Sequence, residues 1–547
     1  MIKSFRAQIA AKKFEVLLFI LFTLVFLSGF TALRLVRDDW SNIANFARGL
    51  QNNPTGFLRD VFTNQWLGLN QSRIFFFGWY MQMAVGYLGR FNYVPYYLFI
   101  LFWHFLSSIL LFRILRVHLK SPAFAALLSI AYLSAPANTN VLFWLNNWFF
   151  SLPIFFLITQ VYFLTFPLSK FRYQIPALFL TTLLGQFSGE QGIAMLYLSP
   201  AIFILRALVT LRGEERKMTI ISIFVPALLS ALALLAYVKF SMVYSVTENT
   251  VDYSVERVWV YLVQFFGYLV QTVNLNTEFH GFHSLPFGKK TLLLSTLQAL
   301  VVIGVFIKMS SSVDWEFPKR RALVMTIVLA LFATAGLLPC LYGALTGIRP
   351  GASYRYLFVP AFSVTGVLML LVGICLSFIR PQWRKYAMLP LVGFVIYLSS
   401  LSTYTLNRVW RFQQEIDNSI WQRIDAEILP RHTVIITVNL TQDQAQLFPA
   451  YYSQAISDFQ ADWGVSQRLW FAHGRQILVG KRAEEIPGTD KLLVTGYYGD
   501  TWETARDSVI FTTYSYGPNF ASLKDAKLNV FATYKEFKEF KDQIANN

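Results

Sequence analysis

The sequence predicts an α-helical polytopic membrane protein with a soluble α/β domain at its C-terminal end. Of its 547 residues, 55% are hydrophobic and only 14% are charged, whereas an ordinary soluble protein has about 25% charged residues. Long apolar runs alternate with short basic clusters up to residue 405. After residue 406 the apolar runs become shorter and are mixed with acids and bases, which is typical of a soluble domain.

The basic clusters determine the expected topology. Four basic residues precede the first apolar run, so the positive-inside tendency places the N-terminus in the cytoplasm. Alternate crossings then end in further basic clusters, which gives about eleven spans of roughly 20 residues each. The expected spans are 14–36, 94–111, 123–135, 148–166, 175–187, 193–209, 220–238, 292–307, 322–341, 357–378 and 388–404. An odd number of crossings makes the C-terminal domain extracytoplasmic.

Residues 1–405 therefore form the predicted transmembrane module, and residues 406–547 form the predicted extracytoplasmic domain. The module has a first outer loop, 37–93, in which we expect helices lying in the membrane interface. Its segment 74–88 is also compatible with a short span. The large outer loop, 239–290, contains the apolar segment 258–273, which we expect to lie flat or re-enter, because a crossing there would put the next basic cluster outside.

The tail predicts an α/β domain without a recognisable catalytic motif. Its pattern favours an amphipathic helix at 410–428, a further helix at 450–459, and strands at 433–438, 476–479, 492–497, 509–514 and 530–534. It contains no nucleotide-binding loop, metal motif or nucleophile elbow.

Charge and cysteine content exclude several classes of protein. The net charge is +17, but the basic residues lie between apolar runs and form no stripe interleaved with aromatic residues, so nucleic acid is not an expected partner. Cys340 and Cys375 both lie in apolar segments, so no disulfide framework is predicted. The first apolar run is too long for a signal-peptide core and is expected to be a membrane anchor.

The most unusual polar residues are Asp38 and Asp39, which directly follow the first apolar run. A carboxylate at the end of a span is costly to desolvate and needs water, a cation or a ligand beside it. One interpretation is a helix start, because Asp is favoured at helix N-termini. The other is a catalytic or metal-binding role, in which only one of two adjacent helical side chains would point into a cavity.

Other unusual polar residues also fall on the predicted outer face. They are Arg73, Glu190, His280, His283, Arg349, Arg355 and Tyr356. Outer carboxylates close to outer arginines could combine a base or cation ligand with a clamp for an anion. Each residue also has a simpler explanation: a glycine turn for Glu190, a snorkelling arginine for Arg355 and solvated loop histidines for His280 and His283.

The order of these features resembles the GT-C superfamily of integral-membrane glycosyltransferases. The matching features are the acid pair after the first span, the interfacial helices that follow it, short outer loops, the start Arg355-Tyr356-Leu357-Phe358-Val359-Pro360 of a late span, and a soluble outer C-terminal domain. The resemblance covers residues 1–405. The tail does not resemble any carbohydrate-binding module, which leaves the acceptor open.

The resemblance implies transfer of a sugar from a polyprenyl-phosphate carrier to a cell-envelope glycan, lipid or protein at the outer face of a bacterial inner or plasma membrane, with inversion. It implies that Asp38 or Asp39 activates the acceptor, with Glu190 as a second acid. Arg355 and Tyr356, with Arg73 and Arg349, would bind the donor phosphate. A divalent cation, Mg or Mn, would be held by Asp39 and Glu190. Independently of the resemblance, His280 and His283 are three residues apart and could ligate a metal with Glu278.

Three other classes of protein remain open, one of which is a structural or scaffolding membrane protein. A transporter or flippase of lipid-linked sugars would carry ionisable residues deep in several spans, and such residues are nearly absent here. A polymerase or ligase of lipid-linked saccharides would have a large outer loop with arginines, but it would not require an acid pair after the first span.

Overall fold

The structure is a computed structural model of the full chain. It describes residues 12–21, 38–63, 76–89, 92–133, 148–168, 170–189, 192–244, 289–310, 319–345, 358–439, 462–496, 499–515, 527–531 and 533–545.

The protein is mostly helical up to residue 427. The helices are α1 (12–21), α2 (Asp38–Asn52), α3 (Pro54–Phe62), α4 (Phe76–Leu88), α5 (Tyr93–Leu119), α6 (Pro122–Leu133), α7 (Trp148–Thr165), α8 (Phe171–Ser188), α9 (Ile193–Thr210), α10 (Gly213–Tyr244), α11 (Lys289–Ser310), α12 (Lys319–Leu345), α13 (Phe358–Leu376) and α14 (Pro381–Glu427).

Three helical segments in the described chain are long and apolar enough to cross a bilayer. They are Val94–Leu119, Ile193–Thr210 and Gly213–Lys239, and two shorter apolar helices are Phe150–Thr165 and Gly366–Leu376. Large apolar side chains face outward on these helices, including Leu205 at 62% and Val209 at 85% exposure. Such exposure is unusual in a soluble protein and is typical of a lipid-facing surface. The structure therefore supports an integral membrane protein, and the total of eleven spans stays a prediction.

The predicted break between the last span and the amphipathic helix at 410–428 is wrong. Both segments belong to one continuous helix, α14. The change from apolar to polar composition after residue 404 marks a change of environment, and it does not interrupt the backbone hydrogen bonds. After Gly393 the helix contains neither proline nor glycine, the residues that most readily end a helix.

Neutral polar side chains connect neighbouring helices. The Nε2 atom of Gln160 on α7 donates to Oγ1 of Thr182 on α8 at 2.6 Å, and the hydroxyl of Ser199 on α9 donates to Oε1 of Gln160. The Tyr197 hydroxyl on α9 donates to Oε1 of Gln186 on α8 at 2.6 Å. Interhelical hydrogen bonds of this kind stabilise the packing of helices in a bilayer.

The described residues form two compact units. Residues 38–48 and the chain from Leu406 onward belong to one unit, and the remaining described residues belong to the other. We call the first the α/β unit and the second the helical unit.

The α/β unit contains two sheets and two further helices. Its elements are β1 (Val434–Asn439), α15 (Asp462–His473), β2 (Leu478–Gly480), β3 (Arg482–Glu485), β4 (Lys491–Thr495), β5 (Thr501–Ala505), β6 (Val509–Ser515), β7 (Lys527–Phe531) and α16 (Tyr534–Ala545). The larger sheet has the order β2-β1-β6-β7, with β2, β1 and β6 parallel and β7 antiparallel to β6. The smaller sheet, β3-β4-β5, is antiparallel.

Strand β1 shows how the sequence produces this layered structure. Successive side chains of a strand point to opposite faces of the sheet. Ile435 packs with residues of α14 and α15, including Ile424 and Leu469. Its neighbours Val434 and Ile436 pack into the opposite cluster, which includes Leu492 of β4 and Phe537 of α16. Val434, Ile435 and Ile436 are apolar at consecutive positions because both faces of this part of the strand are covered.

The predicted C-terminal α/β fold is confirmed in outline. Strands were predicted close to β1, β2, β4, β6 and β7. Of these, β7 lies at Lys527–Phe531, a few residues earlier than the predicted 530–534. Strands β3 and β5 were not predicted, because β3 buries only one of its four side chains and β5 buries none, so neither has a clear apolar pattern. The predicted helix at 450–459 lies outside the described residues.

Candidate active site

The acid pair lies on helix α2. The structure describes this helix over Asp38–Asn52, so the backbone of Asp38 and Asp39 is helical. The residues directly before Asp38 lie outside the described residues, so both the helix-start interpretation and the catalytic or metal-binding interpretation stay predictions.

Helix α2 packs within the α/β unit through an arginine near its C-terminal end. The guanidinium Cζ atom of Arg48 lies 4.1 Å from the centroid of the Trp470 ring on α15. Ile43 and Phe46 of α2 are almost completely buried, so the helix is well packed. Partial burial lowers the pKa of Arg48, which remains cationic at any physiological pH. The acid pair is thus carried by a helix fixed to the C-terminal domain.

A second group of side chains fixes the helix that carries Trp470. Oδ1 of Asp425 on α14 accepts hydrogen bonds from Nη1 of Arg468 at 2.6 Å and Nε2 of His473 at 3.0 Å. The Arg468 guanidinium also lies 4.4 Å from the ring centroid of Trp421. These charge-assisted bonds are partly shielded from water and hold α15 on α14, which determines the position of Trp470.

The helical unit contains an aromatic cluster, which we define as Phe62, Phe76, Phe187 and Tyr237. The ring centroids of Phe76 and Phe187 are 4.7 Å apart, and Tyr237 lies 5.0 Å from Phe76 and 5.5 Å from Phe62. The Tyr237 hydroxyl donates to the carbonyl of Phe62 at 3.0 Å. The cluster therefore joins the end of α3 and the start of α4 to α8 and α10.

A glycine brings two of these helices unusually close. A Cβ atom placed on Gly78 of α4 would lie 2.9 Å from the carbonyl oxygen of Ser188, the last residue of α8. Only glycine permits this approach of one backbone to another.

Two predicted site residues are attached to this cluster along the chain. Arg73 comes three residues before Phe76, and Glu190 comes three residues after Phe187. The side chains of Arg73 and Glu190 lie outside the described residues. Their chain neighbours Phe76 and Phe187 are described, and the rings of these two residues are in contact.

The other predicted site residues cannot be placed in the same way. His280, His283, Arg349, Arg355 and Tyr356 all lie outside the described residues. Helix α13 begins at Phe358, three residues after Arg355. Within the described part of the chain, no group of three or more His, Cys, Asp and Glu side chains could hold a metal ion. The side chains of the predicted ligands Asp39, Glu190, His280 and His283 are not among those described, so the cation stays a prediction.

Known proteins give no further guide to the activity. The sequence matches no family model, no curated protein and no solved structure. The assignment of function therefore depends on the residues and contacts described above.

Sequence reasoning missed Arg48, Trp470 and the aromatic cluster. Arg48 is a polar interruption in a loop of mixed composition, and Trp470 lies in an unremarkable stretch of the tail. No local pattern connects residues so distant along the chain. The sequence contains only a weak indication of the cluster. Phe62 and Phe76 flank the segment with Arg73, and Phe187 comes shortly before Glu190.

Proposed function

We propose that the protein is a membrane glycosyltransferase that moves a sugar from a polyprenyl-phosphate carrier to a cell-envelope glycan, lipid or protein at the outer face of the membrane. The observation that supports this proposal is the packing of helix α2, which carries Asp38 and Asp39, within the C-terminal α/β unit through Arg48 and Trp470. Such a contact is expected if the acid pair and the soluble domain lie on the same side of the membrane, as in the predicted topology.

The expected topology agrees with that contact. About eleven crossings place both the first loop and the C-terminal domain outside the cytoplasm. The donor's lipid tail would stay in the bilayer while its sugar phosphate rises to the outer interface. The acid pair, Glu190 and Arg355 all belong to loops expected at that interface.

The proposed reaction is a single displacement. The carboxylate of Asp38 or Asp39 accepts the proton of an acceptor hydroxyl, whose oxygen forms a bond to the anomeric carbon of the sugar. The bond between that carbon and the phosphate oxygen breaks, and its electron pair leaves with the polyprenyl phosphate. Arg355, with Tyr356, would stabilise the charge on the departing phosphate. A bound Mg or Mn ion would add further positive charge beside the phosphate.

The polar groups inside the helical unit favour an enzyme over a transporter or flippase. Among the described side chains of this unit, the buried polar set consists of Ser, Thr and Gln residues with one histidine, His104. Proton- or ion-coupled transporters instead place several ionisable residues within their spans. A transporter remains the second candidate, and it would move the lipid-linked sugar without making a glycosidic bond.

The deciding experiment compares acids of the same loop. Asp38→Asn and Asp39→Asn should be assayed in proteoliposomes containing a lipid-linked sugar and cell-envelope acceptors. At least one should lower sugar transfer by roughly 10²- to 10⁴-fold, the usual contribution of a general base. Asp60→Asn is the matched control, because Asp60 lies on α3 in the same loop and forms an exposed pair with Arg59 at 3.3 Å. Full transfer by both single variants would remove the acid pair from the mechanism.

A further inference from the structure

The helical unit contains a large apolar cavity that the proposed transfer reaction does not use. It has a volume of about 710 Å³ and lies between helices α5, α7, α9 and α12. Its walls are mainly aliphatic and aromatic side chains, among them Leu115, Ile158, Phe203, Val328 and Phe332. An apolar cavity of this size is a poor site for water and suits a hydrocarbon chain. We call it the basic groove because basic residues line its rim.

Five basic side chains line one end of the basic groove. They are His118, Lys120, Arg206, Arg320 and Arg321. They come from three helices that are far apart in the sequence. His118 Nε2 lies 3.1 Å from the hydroxyl of Thr165 on α7. Arg320 and Arg321 lie next to Lys319, the first residue of α12 that the structure describes.

The rim cations lack acidic partners in the described part of the structure. There, Lys120, Arg206, Arg320 and Arg321 form no ion pair with a carboxylate. Arg113, a short distance back along α5, is instead paired with Glu15 at 2.8 Å. The difference leaves a concentrated positive charge at the mouth of an apolar cavity. Such a site complements a molecule with an anionic head and an apolar tail.

The length of the groove matches one leaflet of a bilayer. On α12 the lining residues extend from Arg321 at the rim to Phe332 at the deep end, a distance of roughly 16 Å at 1.5 Å per residue. The hydrocarbon core of a bilayer is about 30 Å thick. The groove therefore has the depth expected for the acyl chains of a lipid from a single leaflet.

We propose that the basic groove binds one anionic glycerophospholipid, with its phosphate on the arginines of the rim and its acyl chains along α9 and α12. Guanidinium groups bind phosphate oxygens through two parallel hydrogen bonds. Basic pockets between membrane helices on the cytoplasmic side recognise lipid head groups by this chemistry. The expected topology places the ends of α5, α9 and α12 that form the rim on the cytoplasmic side. This proposal does not depend on the glycosyltransferase activity.

The first test measures lipid retained by the purified full-length protein. Native mass spectrometry and lipid extraction after detergent purification should find phosphatidylglycerol or cardiolipin bound to the wild type. Arg320→Gln combined with Arg321→Gln should reduce this retention roughly tenfold. Arg216→Gln combined with Lys217→Gln is the control with equal charge loss. These two residues are exposed and lie on α10 outside the groove. Replacing them should leave lipid retention unchanged.

The second test does not require an arginine variant. The wild type in nanodiscs should unfold at a higher temperature with phosphatidylglycerol than with phosphatidylcholine, and the difference should shrink at high salt. Val328→Trp, which fills the groove and keeps every cation, should abolish the difference while leaving the melting temperature in phosphatidylcholine close to that of the wild type. The proposal would be overturned if both lipids stabilised the protein equally, or if both double variants lost bound lipid equally. Preferential retention of polyprenyl phosphate would also overturn it.

Discussion

The guanidinium group of Arg48 lies over the indole ring of Trp470, with 4.1 Å between Cζ and the ring centroid. The two residues belong to opposite ends of the chain, one in the helix that carries the acid pair and the other in the C-terminal domain. Arg48 lies ten residues after Asp38 on α2, which is roughly 15 Å along the helix axis. The contact therefore fixes one end of the helix that carries the proposed catalytic acids.

We expect Arg48→Ala and Trp470→Ala to weaken the same interaction. A double-mutant cycle on the full-length protein should give a coupling of about 1 kcal/mol in the free energy of unfolding, the usual range of a partly buried cation–π contact. Both variants should lower sugar transfer without abolishing it, because neither residue contacts the reacting atoms. Arg59→Ala, an exposed arginine on α3, is the control. Strictly additive effects of the two substitutions would show that the contact contributes nothing.

The topology predicts that the C-terminal domain is accessible from outside the cell. In a Cys340→Ala, Cys375→Ala background, Lys535→Cys should react with a membrane-impermeant maleimide in intact cells. Lys535 lies on α16, and its side chain is 84% exposed. Arg216→Cys, in a cluster predicted to be cytoplasmic, should react only after permeabilisation. Labelling of Lys535→Cys that required permeabilisation would reverse the predicted orientation of the domain.

Arg355 is predicted to bind the donor phosphate at the start of the tenth expected span. Arg355→Ala should raise the apparent KM for the lipid-linked sugar by roughly tenfold or more, since it removes a charge-assisted bidentate contact. Arg355→Lys should recover only part of this loss, because an ammonium cannot form the parallel pair of hydrogen bonds. Arg380→Ala, beyond the other end of α13, serves as the control. An unchanged KM in Arg355→Ala would exclude this residue from the donor site.

The stability of the α/β unit should depend on the protonation of His432. Its Nδ1 atom accepts a hydrogen bond from the backbone N–H of Leu429 at 3.1 Å. Burial, together with the positive charges of Arg431 and Arg475, lowers the pKa of His432, and Asp507 opposes this only weakly. The unfolded chain therefore binds a proton more readily than the folded unit does.

The stabilising effect of neutral His432 is complete above its unfolded pKa of about 6.5 and is lost as the pH falls below that value. Hydrogen exchange of β1 amides in the full-length protein should accelerate, relative to intrinsic rates, between about pH 7.5 and pH 5. His432→Asn keeps an acceptor near the Nδ1 position and should reduce this dependence. If His432→Asn shows the same pH dependence, a group other than His432 causes it.

The helices of residues 1–405 were largely predictable as helices because their signal is local. An apolar run long enough to cross a bilayer must satisfy its own backbone hydrogen bonds, and a helix does so within the segment. The described helices accordingly overlap the predicted spans. Helix α14 was divided incorrectly because hydropathy was taken to mark its end, although no residue between Phe394 and Glu427 breaks a helix.

The relationships between distant segments were not predictable in this way. The polar residues that resemble a glycosyltransferase site could be selected from their order along the chain. The packing of Arg48 on Trp470 depends on the tertiary fold, and nothing in the sequence around either residue identifies its partner. The basic groove is an intermediate case. Four of its five rim residues belong to basic clusters that predicted the topology, whereas Arg206 does not. Their convergence on one cavity depends on the arrangement of α5, α9 and α12.

The close approach at Gly78 affects how a genetic screen of this protein should be interpreted. A side chain at this position meets the Ser188 carbonyl, a backbone atom that cannot rotate away, so a saturation library should retain glycine alone, whatever the growth condition. Substitutions of Asp38 and Asp39 should instead be depleted only under growth conditions that require the glycan product. Residue 78 thus supplies an internal reference for loss of folding, against which selection on chemistry can be measured.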